Sequence, residues 1–264
     1  MKQRIITAVI AAAFFIPFVV YGNWPFAALV FAMAGVGFFE ILRMKHISLA
    51  SVPGVLGLFA LAAIVMPEQW ELNIKEWLTL GKIEIIFLVV ILLLVYTVLI
   101  KNTFTFDEVG FILISAFYVG LGFHYLIETR IAGLEYIVFA LLIVWTTDSG
   151  AYFVGRKLGK NKLWPEISPN KTIEGFVGGI GIAVIFAIGM QLIQPITHTW
   201  FALVGVTIIA SIFGQLGDLV ESAIKRHYDV KDSGTLLPGH GGILDRFDSL
   251  LFVLPLLHFL HIVG

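Results

Sequence analysis

Three aspartates in the C-terminal part of the chain have spacings that suit the binding of a hard cation. Asp245 and Asp248 are three residues apart, so on a helix they share one face. Asp218 closes an apolar segment, and if that helix continues, Ser222 and Lys225 lie on the same face as Asp218. Carboxylates grouped in this way bind Mg²⁺, which usually takes one or two of them together with substrate phosphates. The alternative is that the acids form ion pairs with Arg246 or Lys225.

A fourth acid, Asp148, interrupts an apolar segment about six residues from its end, or roughly 9 Å deep at about 1.5 Å of helix rise per residue. A carboxylate that faces lipid costs about 2.5–3.5 kcal/mol on insertion scales. We therefore predict that Asp148 faces a polar cavity or a cation. The alternative is a buried carboxylate capped by the adjacent hydroxyls of Thr146, Thr147 and Ser149.

Two groups of glycines have spacings that bear on function or on helix packing. The stretch P-G-H-G-G at 238–242, which contains His240, would let backbone N–H groups approach a phosphate closely. The same composition also suits a plain turn between helices. Gly175 and Gly179 have the G-x-x-x-G spacing of closely packed helices, so we predict a helix contact there and no chemistry.

The composition shows what kind of molecule positions these side chains. The chain has 264 residues, of which 59% are hydrophobic and 13% are charged, and its mean hydropathy is +0.96. Soluble domains average about 25% charged residues, so a soluble globular protein is excluded. The net charge of −1 disfavours a nucleic-acid binder, and the absence of cysteine excludes thiolate metal sites and cysteine nucleophiles. The predicted fold class is an all-α, polytopic integral membrane protein.

Nine apolar segments approach the roughly 20 residues that a membrane-crossing helix needs. The third and the ninth are short, so eight spans are the alternative. The predicted spans are Ile5–Tyr21, Pro25–Leu42, Val52–Met66, Ile83–Ile100, Val109–Ile127, Gly133–Val154, Gly175–Ile193, Trp200–Leu216 and Leu250–Val263. We expect residues 1–130 to hold spans one to five, and residues 131–264 to form a catalytic region with spans six to nine and two polar loops.

The basic residues predict the orientation in the membrane. With a cytoplasmic N-terminus, every Lys and Arg except Lys75, Lys82 and Arg130 falls on the cytoplasmic side, as the positive-inside rule favours. The two polar segments, 148–174 and 218–248, then face the cytoplasm. The second mixes acids and bases, which suits metal ions that hold a phosphorylated substrate, whereas a patch for lipid head groups alone would be basic only.

Taken as one string, the second polar segment resembles the signature of the phosphatidate cytidylyltransferases, also called CDP-diacylglycerol synthases. The string consists of S-x-x-K-R-x-x-x-x-K-D from Ser222, P-G-H-G-G from Pro238 and D-R-x-D from Asp245. The wider match adds D-x-x-A-Y from Asp148, S-P-N-K-T from Ser168 and G-D-L-x-E-S from Gly217. The first five spans match only in being apolar, and the resemblance is to the bacterial form.

The resemblance implies an enzyme of phospholipid biosynthesis that transfers the cytidylyl group of CTP to phosphatidic acid, giving CDP-diacylglycerol and pyrophosphate. It also implies a homodimer in the cell membrane, with a site facing the cytoplasm and Mg²⁺ in a two-cation cluster whose second cation is unknown. The metal-binding acids fall on Asp218, Asp245 and Asp248. The substrate-binding residues fall on Lys171, Ser222, Lys225, Arg226, Lys231, Asp232, His240 and Arg246. The candidate catalytic residues are Asp148, Lys171, Lys225, Arg226, Lys231, His240 and Arg246.

Other functions stay open from the residues alone. A CTP-dependent kinase of a lipid alcohol would transfer only the γ-phosphate and would need a similar site, although the complete signature favours the cytidylyltransferase. A transporter would use Asp148 and Asp218 as an ion site, but the sequence has no inverted repeat and its charges cluster on one side. A CDP-alcohol phosphotransferase is disfavoured because its D-x-x-D-G-x-x-A-R core is absent.

Overall fold

The computed structural model describes residues 2–263, apart from the side chains at positions 2, 4, 5, 74, 77 and 78. Within this range helices dominate, and one short β-hairpin interrupts them. The elements in chain order are α1 (Lys2–Tyr21), α2 (Asn23–Met44), α3 (Val52–Val65), α4 (Glu68–Leu78), α5 (Lys82–Leu99), α6 (Phe106–Ala132), α7 (Leu134–Leu158), β1 (Lys162–Trp164), β2 (Ser168–Thr172), α8 (Ile173–Ile193), α9 (Trp200–His227), α10 (Leu244–Phe247) and α11 (Leu250–Phe259).

Each of the nine predicted spans coincides with a helix, and the all-α membrane fold class is confirmed. The nine helices are α1, α2, α3, α5, α6, α7, α8, α9 and α11. Six of them, α2 and α5 to α9, are long and apolar enough to cross a membrane. The other three contribute shorter apolar stretches, Ile6–Tyr21, Val52–Val65 and Leu250–Phe259. The number of spans and the cytoplasmic N-terminus therefore stay predictions.

Four of the elements described within residues 2–263 lie outside the predicted spans: helices α4 and α10 and strands β1 and β2. The 11-residue helix α4 has acids in its first turn and a lysine in its last, an arrangement that complements the helix dipole. It is too polar to count among the helices that could span a membrane. Strands β1 and β2 form an antiparallel hairpin in which Lys162 pairs with Thr172 and Trp164 with Ser168. This hairpin leads directly into α8 and carries Lys171.

The chain divides into two compact units. Unit one comprises Met1–Glu128 and Ser233–Ile243, and unit two comprises Thr129–Asp232 and Leu244–Gly264. In unit one, α3 packs against α2 and α5, and a side chain at Gly57 would collide with Phe38 of α2. The predicted assignment of catalysis to residues 131–264 stays a prediction.

Unit two is built on a close contact between α7 and α8. A Cβ atom added at Gly179 would lie 2.6 Å from the carbonyl oxygen of Thr147, and one at Gly175 would lie 2.7 Å from that of Ala151. Only glycine allows the two backbones to come so near, so the predicted helix contact is confirmed. Helix α9 packs on both helices, and α11 packs on α7 and α9. Four helices of unit two, α7, α8, α9 and α11, therefore pack together.

Candidate active site

Helix α9 provides one face of the site. It is 28 residues long, or about 42 Å at about 1.5 Å per residue, which exceeds the roughly 30 Å of a bilayer's hydrocarbon core. The helix continues through Asp218, Ser222 and Lys225. Their spacing therefore places the three residues on one face, as predicted. The Ser222 hydroxyl donates to Asp218 Oδ1 at 3.3 Å. The last turns of α9 therefore present a polar stripe.

Lys225 lies buried between two carboxylates. Its Nζ donates to Glu221 Oε2 and to Asp245 Oδ1, both at 2.6 Å. The side chains of Lys225, Glu221 and Asp245 are 11%, 2% and 6% exposed. The alternative that Asp245 forms an ion pair thus holds in this structure, with Lys225 as its partner. Glu221 has a role that the sequence reasoning missed, although its position four residues before Lys225 on a helix was a sufficient signal.

The β-hairpin brings a second lysine to α9. Lys171 Nζ lies 2.7 Å from Asp218 Oδ2, and both side chains are partly buried. The hairpin is fixed to the start of α8, where the Glu174 carboxylate accepts hydrogen bonds from the backbone N–H groups of Lys160 and Asn161. The Thr172 hydroxyl caps α8 by accepting from Gly175 N at 3.1 Å. Lys171 is therefore presented from strand β2, directly before α8.

Asp148 projects from α7 beside these groups. It borders a narrow crevice whose polar lining includes Thr147 and Ser211, and it interacts electrostatically with Asp218 and Lys171. The Thr147 hydroxyl donates to Ser211 Oγ at 3.0 Å, and the Thr146 hydroxyl donates to backbone carbonyls of its own helix. Both threonines therefore use their hydroxyl protons elsewhere, and the prediction that Asp148 faces a polar cavity or a cation stays a prediction.

Asp248 follows the short helix α10 and is surrounded by other acids. Burial foremost, and then the negative charges of Asp218, Glu221 and Asp148, hold the pKa of the Asp248 carboxyl well above its usual range. A hydrogen bond from the backbone N–H of Ser249 at 2.8 Å opposes this shift. The structure thus gathers like charges around Asp248.

We call this group of five acids the carboxylate cluster; its members are Asp148, Asp218, Glu221, Asp245 and Asp248. Two ammonium groups, those of Lys171 and Lys225, are paired with it. Glu221 Oε1 is buried without a hydrogen-bond partner among the described residues. These oxygens are the donors that Mg²⁺ prefers, so the cluster fits a divalent cation. No three His, Asp or Glu side chains within residues 2–263 form a ready-made metal site, and Asp218 and Asp245 are paired with lysines.

His240 belongs to unit one, in the loop Ser233–Ile243. A bridge from Leu237 N to the Gly241 carbonyl, 2.9 Å long, closes the loop, and His240 N donates to the Leu237 carbonyl at 2.8 Å. Gly239 and Gly241 have φ angles of 78° and 87°, which favour glycine. The predicted glycine-rich stretch is therefore an ordered turn. The Nδ1 atom of His240 is buried without a hydrogen-bond partner among the described residues.

Four predicted substrate-binding residues lie on the surface of unit two. Arg226 donates to the Val230 carbonyl at 3.5 Å. Its side chain and those of Lys231, Asp232 and Arg246 are exposed. The structure thus brings together Asp148, Lys171, Asp218, Ser222, Lys225, Asp245 and Asp248, and it leaves Arg226, Lys231, Asp232 and Arg246 accessible.

The fold and the carboxylate cluster define a polytopic membrane protein whose cationic and carboxylate side chains suit phosphorylated substrates. The family model of the cytidylyltransferase family matches residues 2–263, and the chain belongs to this family. It is 57% identical to a phosphatidate cytidylyltransferase of Bacillus subtilis (strain 168) over 98% of this chain and 97% of that protein. Phosphatidate cytidylyltransferases of Staphylococcus epidermidis (strain ATCC 12228) and Staphylococcus aureus (strain COL) are 49% and 47% identical, over 98% of both chains in each case. The predicted family is confirmed.

Proposed function

We propose that this protein transfers the cytidylyl group of CTP to phosphatidic acid and forms CDP-diacylglycerol and pyrophosphate. The observation that carries the proposal is the meeting of signature residues from separate elements. Lys171 of β2 pairs with Asp218 of α9, and Lys225 of α9 pairs with Asp245 of α10. These contacts occur in a chain that matches named phosphatidate cytidylyltransferases along nearly its whole length.

The reaction needs charge compensation more than proton transfer. A phosphate oxygen of phosphatidic acid attacks the α-phosphorus of CTP and forms a new P–O bond. The bond between the α-phosphorus and the oxygen bridging to the β-phosphorus breaks, and pyrophosphate leaves with that electron pair. The attacking oxygen is anionic near neutral pH, so no strong general base is required. The obstacle is repulsion between two phosphorylated substrates, which preorganised cations remove.

The proposed metal ligands are Asp218, Asp245 and Asp248. Mg²⁺ held there, with a second cation not yet identified, would act as a Lewis acid that stabilises negative charge on the reacting phosphates. The fit rests on the carboxylate cluster and on the raised pKa of Asp248.

The chain's own cations supply the remaining compensation. Lys171 and Lys225 stand against proposed metal ligands, so their ammonium groups lie where phosphates would accompany the cation. The accessible side chains of Arg226, Lys231 and Arg246 bind the charged groups of the substrates. Ser222, Asp232 and His240 donate or accept hydrogen bonds that orient the substrates, and Asp148 completes the negative lining.

The position of the site along α9 suits one lipid and one water-soluble substrate. Asp218 lies 18 residues after Trp200, or about 27 Å along the helix axis, which is close to the thickness of the hydrocarbon core. A helix that begins at one boundary of the bilayer would thus place Asp218 at the other. We further propose that the protein resides in the cell membrane, that the site faces the cytoplasm and that the enzyme is a homodimer.

A substrate panel tests this function. Purified protein in mixed micelles would receive CTP and Mg²⁺ with phosphatidic acid, diacylglycerol or polyprenol, and the lipid products would be identified by mass spectrometry. We expect a cytidine-containing lipid with phosphatidic acid only, and no product after chelation of Mg²⁺. A phosphorylated alcohol as the main product would instead indicate a lipid-alcohol kinase.

A further inference from the structure

A single buried carboxylate of unit one binds both ends of the glycine-rich loop. Glu40 lies near the end of α2 and is 2% exposed. Its Oε2 accepts a hydrogen bond from the Ser233 hydroxyl at 2.9 Å, and its Oε1 accepts one from the backbone N–H of Ile243 at 2.9 Å. Ser233 and Ile243 are the first and last residues of the loop that belongs to unit one. Glu40 therefore closes the loop at its base.

The loop is shaped to receive this carboxylate. A Cβ atom added at Gly234 would lie 2.5 Å from Glu40 Oε1, and one at Gly242 would also collide with it. An acid in a membrane-type helix is costly, so it marks a function by default. Here that function is to hold backbone and hydroxyl donors of a loop 193 residues away in sequence.

We propose that Glu40 is a positioning residue for the cytidylyl transfer. By fixing the base of the loop, it fixes the conformation of the segment that carries His240. The proposal rests on the proposed function, because the position of His240 matters to catalysis only if His240 meets the substrates. It assigns part of the machinery to α2, in the half of the chain that carried no functional prediction.

The proposed role of Glu40 depends on accepting hydrogen bonds and not on its negative charge. The two possibilities can be distinguished by substitution. In Glu40→Gln, the amide oxygen still accepts from Ile243 N, and the amide NH₂ donates to the Ser233 hydroxyl, which rotates to accept. In Glu40→Ala both contacts are lost. We expect Glu40→Ala to lower kcat by roughly 10- to 100-fold, the scale of a misplaced catalytic group, and Glu40→Gln to retain most of the activity. Equal losses in both variants would overturn the proposal, since they would indicate a charge-based role.

A double-mutant cycle with Gly234 tests the contact itself. Gly234→Ala places a methyl group against the Glu40 carboxylate and should lower kcat on its own. In the Glu40→Ala background that space is free, so the second substitution should add little, and the losses should be strongly non-additive. Additive losses would show that Gly234 and Glu40 act independently. Glu84→Ala is the matched control, because Glu84 also accepts a backbone N–H in unit one, that of Gly81 at 2.9 Å, and its kcat should stay at the wild-type value.

Hydrogen–deuterium exchange of residues 233–243 provides a measurement that does not depend on activity. Exchange in this loop should be faster in Glu40→Ala than in wild type and unchanged in Glu84→Ala. Unchanged exchange in Glu40→Ala would overturn the anchoring whatever the enzyme does. Faster exchange with unchanged kcat would overturn the positioning role. A wild-type protein without cytidylyltransferase activity would refute the proposed function, and the exchange data would still report on the anchor.

Discussion

Lys225 Nζ and Asp245 Oδ1 are 2.6 Å apart, and the same ammonium group lies 2.6 Å from Glu221 Oε2. One lysine thus neutralises two buried carboxylates, one of which is a proposed metal ligand. Buried charges are tolerated when they are paired and hydrogen-bonded. Removing the lysine would leave both carboxylates buried without their partner.

Removal of Lys225 should therefore affect both folding and catalysis. Lys225→Met leaves two buried acids without their cation, and breaking a buried pair typically costs about 3–5 kcal/mol. We expect a clearly lower unfolding midpoint in detergent, together with loss of cytidylyl transfer. Lys162→Met is the matched control, because Lys162 is an exposed lysine of β1 and its removal should change neither measurement. A Lys225→Met protein with the wild-type midpoint would contradict the importance of this buried pair.

The three proposed metal ligands should be needed for turnover and not for folding. Asn replacements of Asp218, Asp245 and Asp248 keep the side-chain shape and remove the charge, so each should lose most activity at saturating CTP while the protein still inserts and purifies. Asp229→Asn is a suitable control. Asp229 is exposed and has a φ of 54°, a conformation that Asn tolerates well. Near-normal turnover of Asp248→Asn across a Mg²⁺ titration would remove this residue from the metal site.

The raised pKa of Asp248 predicts an effect of pH on stability without metal. The folded protein disfavours the ionised Asp248, so its charge destabilises the fold above the ordinary pKa of an aspartate, and acidification relieves that cost. In a chelator, Asp248→Asn should unfold at or above the wild-type temperature at neutral pH, and the difference should shrink as the pH falls. Added Mg²⁺ should raise the midpoint of the wild type only. A less stable Asp248→Asn protein in chelator at neutral pH would show that the folded protein does not disfavour the ionised Asp248 carboxylate.

Membrane topology can be tested with single cysteines, because the chain contains none. Asn73 lies on α4 and Glu166 lies in the turn of the β-hairpin, and both are exposed. In intact cells a membrane-impermeant thiol reagent should label a cysteine at position 73 and reach one at position 166 only after permeabilisation. The reverse pattern would place the carboxylate cluster outside, away from CTP.

Much of the fold follows from the sequence because a helix that crosses a membrane needs about 20 mostly apolar residues. Apolar runs identified nine of the eleven helices described within residues 2–263, and the G-x-x-x-G spacing correctly indicated the contact between α7 and α8. Helix α4 was missed because it is short and polar, and the hairpin was missed because its strands have three and five residues. Neither element has the hydropathy signal on which the prediction depended.

The site was predictable where it lies on one helix and unpredictable where it depends on distant contacts. The face of Asp218, Ser222 and Lys225 required only helical periodicity. Lys171 and Asp218 are 47 positions apart in the sequence. Nothing in the sequence around either residue indicated that the two would pair. The hydrogen bond between Glu40 and Ser233 spans 193 residues, so Glu40 looked like one polar residue in an apolar helix.

The most direct test of the central claim is which phosphate of CTP enters the lipid. Purified protein would receive Mg²⁺, phosphatidic acid and CTP labelled separately at the α- or γ-phosphate, and the label would be followed into the lipid and aqueous phases. Transfer of the cytidylyl group predicts that the α-label appears in the lipid and the γ-label in pyrophosphate. Appearance of the γ-label in the lipid, with release of CDP, would contradict this account and indicate a kinase.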